Sequence, residues 1–314
     1  MRRRRVGSSG LEVSQIGLGT MTWGAATGVE DATEQLTAFV EAGGTLVETA
    51  ESYGHGAAQE VLGEVLATAV RRDDVVLAGR GGLPGGPLGD GAARGTLLAG
   101  LDAVLDRLGT DHLDLWQLPG FDARVPLEET LSAVQVAVYS GRVRYAGLVG
   151  PAGWQLATVA EHGRALGSVT VPVSAQVEYS LLCRDPEPEL LPAALHHGVG
   201  VLAWAPLGRG VLTGKYADGT PADSRGASPD LAPYVEARRT GHAARIVHAV
   251  LTAADGLGTS PLSVALAWVR DQPGVAAAIV GARDAAQLTA SMAADNLILP
   301  AEIRAALDDV SDVR

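Results

Sequence analysis

Residues 96–148 read TLLAGLDAVLDRLGTDHLDLWQLPGFDARVPLEETLSAVQVAVYSGRVRYAGL and alternate twice between a helical and a strand pattern. Gly109 is placed to end the first helix before the apolar run LDLWQL. Pro126 suits the first turn of a second helix, and Gly141 closes it before RVRYAGL. The first helix is indicated by apolar side chains at helical spacing, namely Leu97, Leu98, Leu101, Val104, Leu105 and Leu108.

The same alternation extends along the whole chain. Six further apolar runs, IGLGTM, TLVETA, DVVLAG, VSAQVEY, VGVLAWAPL and AAAIVG, bring the number of predicted strands to eight. We therefore predict an α/β fold, a (β/α)8 TIM barrel with an N-terminal β-hairpin, as a single domain over residues 1–314. An open doubly wound sheet is the alternative. Neither a G-x-G-x-x-G fingerprint after the first strand nor a Walker phosphate loop is found, which favours the barrel.

Composition restricts the class of protein. With 47% apolar and 19% charged residues, the 314-residue chain has ample material for a core, and its net charge of −12 argues against a nucleic-acid partner. The run Arg2–Arg5 precedes a turn-rich segment rather than the apolar segment of an export signal, so we interpret it as a solvated lead into the hairpin. Cys183 is the single cysteine, which excludes an intramolecular disulfide. We expect a cytoplasmic protein with no metal and no membrane partner, and the sequence leaves its oligomeric state open.

One connection is longer than the rest. Residues 208–238 are rich in Gly, Pro, Ser and Asp and exceed the usual length of a loop inside a compact domain. Such a segment is typical of an active-site lid or a binding loop. We therefore predict that this connection contributes to the functional site.

Seven segments spread over the chain resemble the aldo-keto reductase family, in its bacterial, potassium-channel-β-subunit-like branch. In chain order they are GLEVSQIGLGTMTWG, GGTLVETAESYGHG, LGTDHLDLWQL, GRVRYAGL, QVEYSLL, APLGRGVLTGKY and IVGARDAAQL. The resemblance implies an NADP(H)-linked reductase of a small carbonyl compound, with its site at the C-terminal face of the barrel. It also implies an Asp, Tyr, Lys and His tetrad, in which the tyrosine protonates the carbonyl oxygen as hydride arrives. The lysine, held by the aspartate, favours ionisation of that tyrosine, and the histidine orients the substrate.

The tetrad positions have changed in this chain. Tyr53 is kept, whereas Glu48, Arg80 and Pro119 stand at the aspartate, lysine and histidine positions. We expect Arg80 to pair with Glu48 and to lower the pKa of Tyr53 by stabilising phenolate, although a planar guanidinium is not a conservative replacement for lysine. Pro119 has neither a side-chain donor nor an amide N–H, so the substrate-orienting hydrogen bond is lost. His55 could replace it, but an exposed loop histidine is the simpler interpretation.

The resemblance also implies the residues that bind the cofactor, NADP. Val149-Gly150 and Ala290-Ser291 replace the family's Ser-Asn and Glu-Asn contacts to the carboxamide and to adenine. Gln176 resembles the remaining carboxamide ligand, Trp204 stands where a ring stacks on nicotinamide, and 206–215 resembles the pyrophosphate loop. The predicted cofactor-binding residues are Gly19, Thr20, Trp23, Gln176, Trp204, Pro206, Leu207, Gly208, Arg209, Gly210, Lys215, Gly281, Ala282, Arg283 and Gln287.

Two hypotheses about function follow. The first is an NADP(H)-dependent oxidoreductase of changed or reduced activity in which Tyr53 donates the proton, supported by Glu48 and Arg80. The second is a non-reducing barrel, either a pseudoenzyme that binds a ligand or partner, or a redox-neutral dehydratase or isomerase. The second is motivated by where the substitutions gather, at the proton relay and at both ends of the cofactor site. The retained cofactor positions favour the first.

Overall fold

A computed structural model describes residues 1–81, 91–165, 171–217, 219–222, 224–229 and 231–312. The chain begins with an antiparallel hairpin of β1 (Arg3–Arg5) and β2 (Glu12–Ser14). Eight parallel strands then close into a barrel in which each strand pairs with the next along the chain and the last pairs with the first. This confirms the predicted (β/α)8 barrel and hairpin and excludes the open sheet. The barrel strands are β3 (Ile16–Gly19), β4 (Leu46–Ala50), β5 (Val76–Arg80), β6 (Leu113–Pro119), β7 (Val143–Val149), β8 (Ser174–Glu178), β9 (Gly200–Trp204) and β10 (Val275–Val280).

Helices surround the barrel, and several begin or end at residues that the sequence signals. Gly109, at φ +60°, ends the helix that precedes β6, and Pro126 caps the start of the helix that follows it. Thr240 and Ser260 cap two later helices by accepting hydrogen bonds from backbone N–H groups. The helices are α1 (Val29–Glu41), α2 (Ala57–Thr68), α3 (Arg94–Leu108), α4 (Leu127–Tyr139), α5 (Gly153–Ala165), α6 (Leu190–His197), α7 (Ala232–Glu236), α8 (Gly241–Leu257), α9 (Pro261–Arg270), α10 (Ala285–Met292) and α11 (Ala301–Ser311).

Within the described ranges, no single helix is long and apolar enough to cross a membrane. The pair α8 and α9, bent by 102° at the break between them, meets the length and composition test only when the two are taken together.

The hairpin packs against the amino end of the barrel. Val6, Leu11 and Val13 share a buried cluster with side chains that point inside the barrel, among them Leu46 at the start of β4. Residues Arg3–Arg5 of the arginine run form β1 by pairing with β2 rather than leading into the hairpin. The run is exposed as predicted except at Arg4, which is half-buried and donates a hydrogen bond of 2.8 Å to the carbonyl of Arg270, the last residue of α9. The hairpin thus closes the end of the barrel opposite the carboxyl ends of the strands.

The long connection after β9 contains short helical pieces. Two 3-10 turns, Gly208–Thr213 and Arg225–Ala227, precede α7. Arg239, the residue after the connection, donates to the hydroxyl of Thr220 in its middle at 2.9 Å. The connection is therefore folded upon itself beside the carboxyl ends of the strands.

Candidate active site

The three residues predicted to be catalytic meet at the carboxyl ends of β4 and β5. Glu48 lies in β4 and is only 1% exposed, and Arg80 is the last residue of β5. Tyr53 follows β4 in a turn that is closed by a hydrogen bond of 3.0 Å from its amide to the carbonyl of Ala50. Because Ala50 and Arg80 are register partners, the turn brings the Tyr53 ring beside the guanidinium, 5.1 Å from ring centroid to Cζ.

These side chains form a closed triangle of hydrogen bonds and one ion pair. The Tyr53 hydroxyl donates toward both carboxylate oxygens of Glu48, at 3.1 and 3.2 Å. Arg80 Nη2 donates to Tyr53 Oη at 2.6 Å, and Arg80 Nε lies 3.3 Å from Glu48 Oε1. Gln176 Nε2, from the opposite side of the barrel, donates to Glu48 Oε1 at 3.1 Å. The predicted pairing of Glu48 with Arg80 is present, and the carboxylate also bonds the phenol directly.

The acidity of the phenol differs from the prediction. Burial and the Glu48 carboxylate raise the pKa of Tyr53 above its ordinary value, and Arg80, which lowers it as expected, is outweighed. The expectation that Arg80 makes the phenol more acidic is therefore wrong for the net effect. Burial is the largest cause, and Glu48 adds to it because glutamate is one methylene longer than aspartate and carries its charge to the phenol oxygen. Burial lowers the pKa of Arg80, but Glu48 and Tyr53 raise it more, so the guanidinium stays charged.

The remaining tetrad position and its neighbours offer no side-chain donor. Pro119 ends β6 and pairs with Val149 of β7, and the amide of Gly150 is already bonded to the carbonyl of Gln176 at 2.9 Å. His55 lies in the 3-10 turn after Tyr53 with its side chain exposed and without a hydrogen bond to any described residue. This placement favours the interpretation of His55 as a loop histidine.

A cavity of about 480 Å³ opens beside the triangle, and both Glu48 and Tyr53 line it. Its volume lies in the range of about 300 to 1,000 Å³ that is usual for small-molecule and cofactor sites. In the part of the chain that the structure covers, no group of three His, Cys, Asp or Glu side chains is arranged to hold a metal ion. The predicted cofactor-binding residues that line the cavity are Gly19, Trp204, Pro206, Leu207, Arg209, Gly210, Lys215, Gly281, Arg283 and Gln287.

The other predicted cofactor-binding residues do not line the cavity. Trp23 is fully buried and donates its indole N–H to Gln35 at 3.3 Å, so it serves as core packing. Gln176 and Thr20 are buried within the carboxyl end of the barrel, and Gln176 Oε1 and Thr20 Oγ1 have no hydrogen-bond partner among the described residues. The predicted cofactor-binding residues that do not line the cavity are Thr20, Trp23, Gln176, Gly208 and Ala282.

Arg209 is held by a carboxylate at the barrel rim. Glu178, the last residue of β8, accepts from Arg209 Nε at 2.9 Å and Nη2 at 2.6 Å, and from Arg238 Nε at 2.9 Å. Burial raises the pKa of Glu178, but the bonds from Arg238 and Arg209 outweigh it and hold that pKa below its ordinary value. We call these three residues the Glu178 clamp. It ties the beginning and the end of the long connection to one point on the barrel.

Arg225 is a cavity residue that the sequence analysis did not single out. It lies in the long connection, and its Nη2 is 3.2 Å from the position that a Cβ on Gly281 would take. Burial lowers its pKa, and Arg283 lowers it further. Its guanidinium forms neither a hydrogen bond nor a salt bridge with a described residue, whereas its backbone carbonyl accepts from the amide of Ser228 at 3.2 Å. Together with Lys215 at the cavity wall, Arg225 makes this end of the cavity positive and suited to an anion.

The comparisons with known proteins agree with this architecture. The sequence profile of the Aldo/keto reductase family matches residues 15–312. The chain belongs to the aldo/keto reductase family. It is 34% identical over 319 residues to the uncharacterized oxidoreductase YrpG of Bacillus subtilis, covering 97% of this chain and 94% of that protein.

Two further relatives of this aldo/keto reductase carry other names. A probable voltage-gated potassium channel subunit beta of Oryza sativa is 33% identical over 307 residues, which is 95% of this chain and 92% of the relative. The L-glyceraldehyde 3-phosphate reductase of Escherichia coli O157:H7 is 31% identical over 323 residues, which is 98% and 92% of the two chains. Because oxidoreductases are among these relatives, the comparisons support the conclusion that this chain is an oxidoreductase.

Proposed function

We propose that this aldo/keto reductase is an NADP(H)-dependent oxidoreductase that interconverts a small carbonyl compound and its alcohol, with Tyr53 exchanging the proton at the substrate oxygen. The observation that carries the proposal is the closed triangle of Glu48, Tyr53 and Arg80 at the wall of the cavity. A buried ionised pair that holds a phenol at a cavity is typical of a catalytic centre rather than of packing.

The residues around the cavity fit a dinucleotide. Trp204 lines the cavity and offers a ring face to nicotinamide, whereas Gln176 Oε1, a buried acceptor without a partner among the described residues, does not line it. Arg225 and Lys215 offer positive charge to phosphate groups. When bound, the cofactor supplies or takes up hydride. The positive charge supports NADP over NAD, and the single cysteine supports a reducing compartment such as the cytoplasm.

The protein's own residues then handle the substrate oxygen. The raised pKa of Tyr53 keeps the phenol protonated near neutrality, so that it can donate to a carbonyl oxygen. Arg80 fixes the phenol oxygen by its bond of 2.6 Å. Since Pro119 offers no donor, the substrate is oriented with one hydrogen bond fewer. Loss of one such donor elsewhere costs about 100- to 1,000-fold in turnover, so we expect slow catalysis.

The experiment compares the natural protein with Tyr53→Phe. We expect both to bind NADPH with the same Kd, measured by the fluorescence of the reduced nicotinamide, because Phe keeps the ring. Consumption of NADPH with a panel of aldehydes and ketones should fall by about 100-fold or more in the variant. An unchanged rate in Tyr53→Phe would remove the assignment of Tyr53. Failure of the natural protein to bind NADPH would remove the proposal itself.

A second candidate function is that of a non-reducing barrel. It is favoured by the hydroxyl of Tyr53 pointing at Glu48 and by the uncharged Ala290 and Ser291 that line the cavity in place of the family's Glu-Asn contacts. Micromolar binding of NADPH without turnover of any carbonyl compound supports this candidate, and steady hydride consumption excludes it.

A further inference from the structure

We propose that Glu48 exchanges the phenol proton of Tyr53, so that protons move between the substrate oxygen and a buried carboxylate through Tyr53 Oη. The role in turnover rests on the proposed function. The coupling between Glu48 and Tyr53 does not, because it can be measured without cofactor or substrate.

The hydrogen bonds around Tyr53 Oη show which neighbouring group accepts its proton and which group donates to it. A phenol has one proton and two acceptor positions. The proton lies toward Glu48, whose two oxygens are 3.1 and 3.2 Å away, and Arg80 Nη2 takes one acceptor position at 2.6 Å. The second acceptor position remains for a donor on the cavity side, where Tyr53 lines the wall. The hydroxyl group of an alcohol is such a donor.

Few charged groups surround Glu48, so the exchanged proton passes between Glu48 and Tyr53. Arg80 from β5 is the cation in contact with the Glu48 carboxylate. Tyr53 from the turn after β4 and Gln176 from β8 donate hydrogen bonds to that carboxylate. Gly19 from β3 also lies beside it and carries no charge. Among the described residues, Glu48 and Arg80 are the charges that act on Tyr53. The Glu48 side chain is 2% exposed and accepts from the Tyr53 hydroxyl, so Tyr53 Oη connects its carboxylate to the substrate oxygen.

The reaction balances without a free phenolate. In alcohol oxidation an oxidised nicotinamide, when bound, would take up the carbinol hydrogen as hydride, with the electron pair of the broken C–H bond. The substrate O–H bond breaks as its proton bonds to Tyr53 Oη, and the original phenol proton bonds to a Glu48 oxygen. The carboxylate becomes a neutral acid, and the phenol stays a phenol. After product leaves, the extra proton returns through Tyr53 Oη to water, and reduction is the reverse sequence.

The first test is an ultraviolet difference titration of tyrosinate. The chain has six tyrosines, and subtracting Tyr53→Phe from the natural protein isolates the Tyr53 signal. The same subtraction is made for Glu48→Gln and Glu48→Gln/Tyr53→Phe. We expect the Tyr53 step to begin at least about one pH unit lower in Glu48→Gln, because Arg80 then acts on the phenol without the opposing carboxylate. A Tyr53 step at the same pH in both backgrounds overturns the coupling.

The second test follows the pH dependence of alcohol oxidation. We expect the natural rate to fall toward acid, because the proposed step needs an ionised carboxylate beside Tyr53 Oη. In Glu48→Gln the fall at the natural pH should disappear, and the rate should depend on pH only in the higher range where phenolate forms. Retention of the natural acid limb in Glu48→Gln overturns the proposal, whereas a purely structural role would lower the rate equally at every pH.

Glu48→Asp provides the conservative variant and also covers a folding defect in Glu48→Gln. It keeps a carboxylate, so we expect the acid limb to remain while the rate falls about 10-fold or more because the shorter side chain ends farther from the phenol. Loss of the acid limb in a folded Glu48→Asp overturns the proposal. If no alcohol is turned over at all, the proposed function fails, and the titration still decides whether Glu48 governs the Tyr53 proton.

Discussion

The carboxylate of Glu48 ends on the hydroxyl of Tyr53, and a side chain shorter by one C–C bond of about 1.5 Å would end short of it. Arg80 is likewise long enough to reach both partners, with Nη2 on the phenol and Nε beside the carboxylate. The two substitutions therefore fit one another, and the pair keeps its charges while its hydrogen bonds change. A sequence reveals the charges of these side chains. Which atoms form the hydrogen bonds depends on differences of tenths of an ångström between β4, β5 and the turn after β4.

Removing Arg80 should destabilise the fold. In Arg80→Met the buried carboxylate of Glu48 loses its cation, and breaking such a pair typically costs about 3–5 kcal/mol. Since Arg80 is itself a quarter exposed, we expect a value near the lower end of that range. Urea denaturation measures the free energy of unfolding. Arg71→Met is the matched control, because Arg71 and Asp73 form an exposed pair, and no measurable change is expected there. Equal stability of Arg80→Met and the natural protein would contradict this prediction.

Arg225→Met should separate binding from stability. Because the half-buried Arg225 has no acidic partner among the described residues, its removal should leave the free energy of unfolding unchanged or raise it. Loss of a hydrogen bond to a charged phosphate should weaken NADPH binding by about 10- to 100-fold. Fluorescence titration measures the Kd, with Arg71→Met again as the control. An unchanged Kd for Arg225→Met would show that this cation does not face the cofactor.

At the scale of elements, the Glu178 clamp fixes the long connection against the barrel. Arg209 lies 31 residues and Arg238 60 residues beyond Glu178 in the chain, and the barrel brings all three together. The sequence predicted that residues 208–238 would contribute to the site, and the cavity is indeed lined by Pro221, Arg225 and Tyr234. It did not predict that Arg209 would bond a protein carboxylate, because no local pattern links residues so far apart. Tyr234 adds to this fixation, with its ring centroid 4.0 Å from the Arg209 guanidinium.

Glu178→Gln should loosen the connection. The neutral amide weakens the bonds to both arginines, so trypsin should cleave after Lys215 and Arg225 about 10-fold faster, provided that cleavage follows local opening. Mass spectrometry of the fragments measures the rate at each bond. Glu187→Gln is the control, since Glu187 also bonds an arginine, Arg184, but lies outside the connection. Equal cleavage rates in Glu178→Gln and the natural protein would contradict a role for the clamp.

The clamp should also depend on pH. The pKa of Glu178 lies below its ordinary value in the folded protein, so the unfolded chain binds the proton more readily. The stability that the clamp contributes is therefore complete above the ordinary carboxyl pKa and is lost as pH falls through the lower folded value. We expect protection of the connection to fade on acidification in the natural protein and to be less pH-dependent in Glu178→Gln. Hydrogen exchange of residues 231–238 across that pH range measures the difference.

At the scale of the molecule, the hairpin and the candidate active site lie at opposite ends of the barrel. The apolar alternation was sufficient to predict the closed barrel, because eight buried strands with intervening helices have few other ways to pack. The role of the arginine run was not predictable in the same way. It forms β1, and its partners, such as Arg270 and Asp295, come from the last 45 residues of the chain and meet it only in the folded state.

Gly7→Ala should weaken the end of the barrel that carries the hairpin while sparing the site. Gly7 has φ +58°, and a Cβ there would lie 2.1 Å from the carbonyl oxygen of Gly198. We expect a loss of about 1–3 kcal/mol in the free energy of unfolding, with an unchanged Kd for NADPH in the folded protein. Gly241→Ala is the control, because nothing lies within 4 Å of its added methyl group. A change in Kd as large as the change in stability would contradict this separation.

The Glu178 clamp makes the segment between Arg209 and Arg238 structurally separable from the barrel. Both ends of that segment meet at one carboxylate on the barrel rim, so its interior can be exchanged as a cassette while Arg209, Arg238 and the strand that carries Glu178 stay in place. Grafts from other family members, cut at these two arginines, would then redirect ligand preference on an unchanged scaffold.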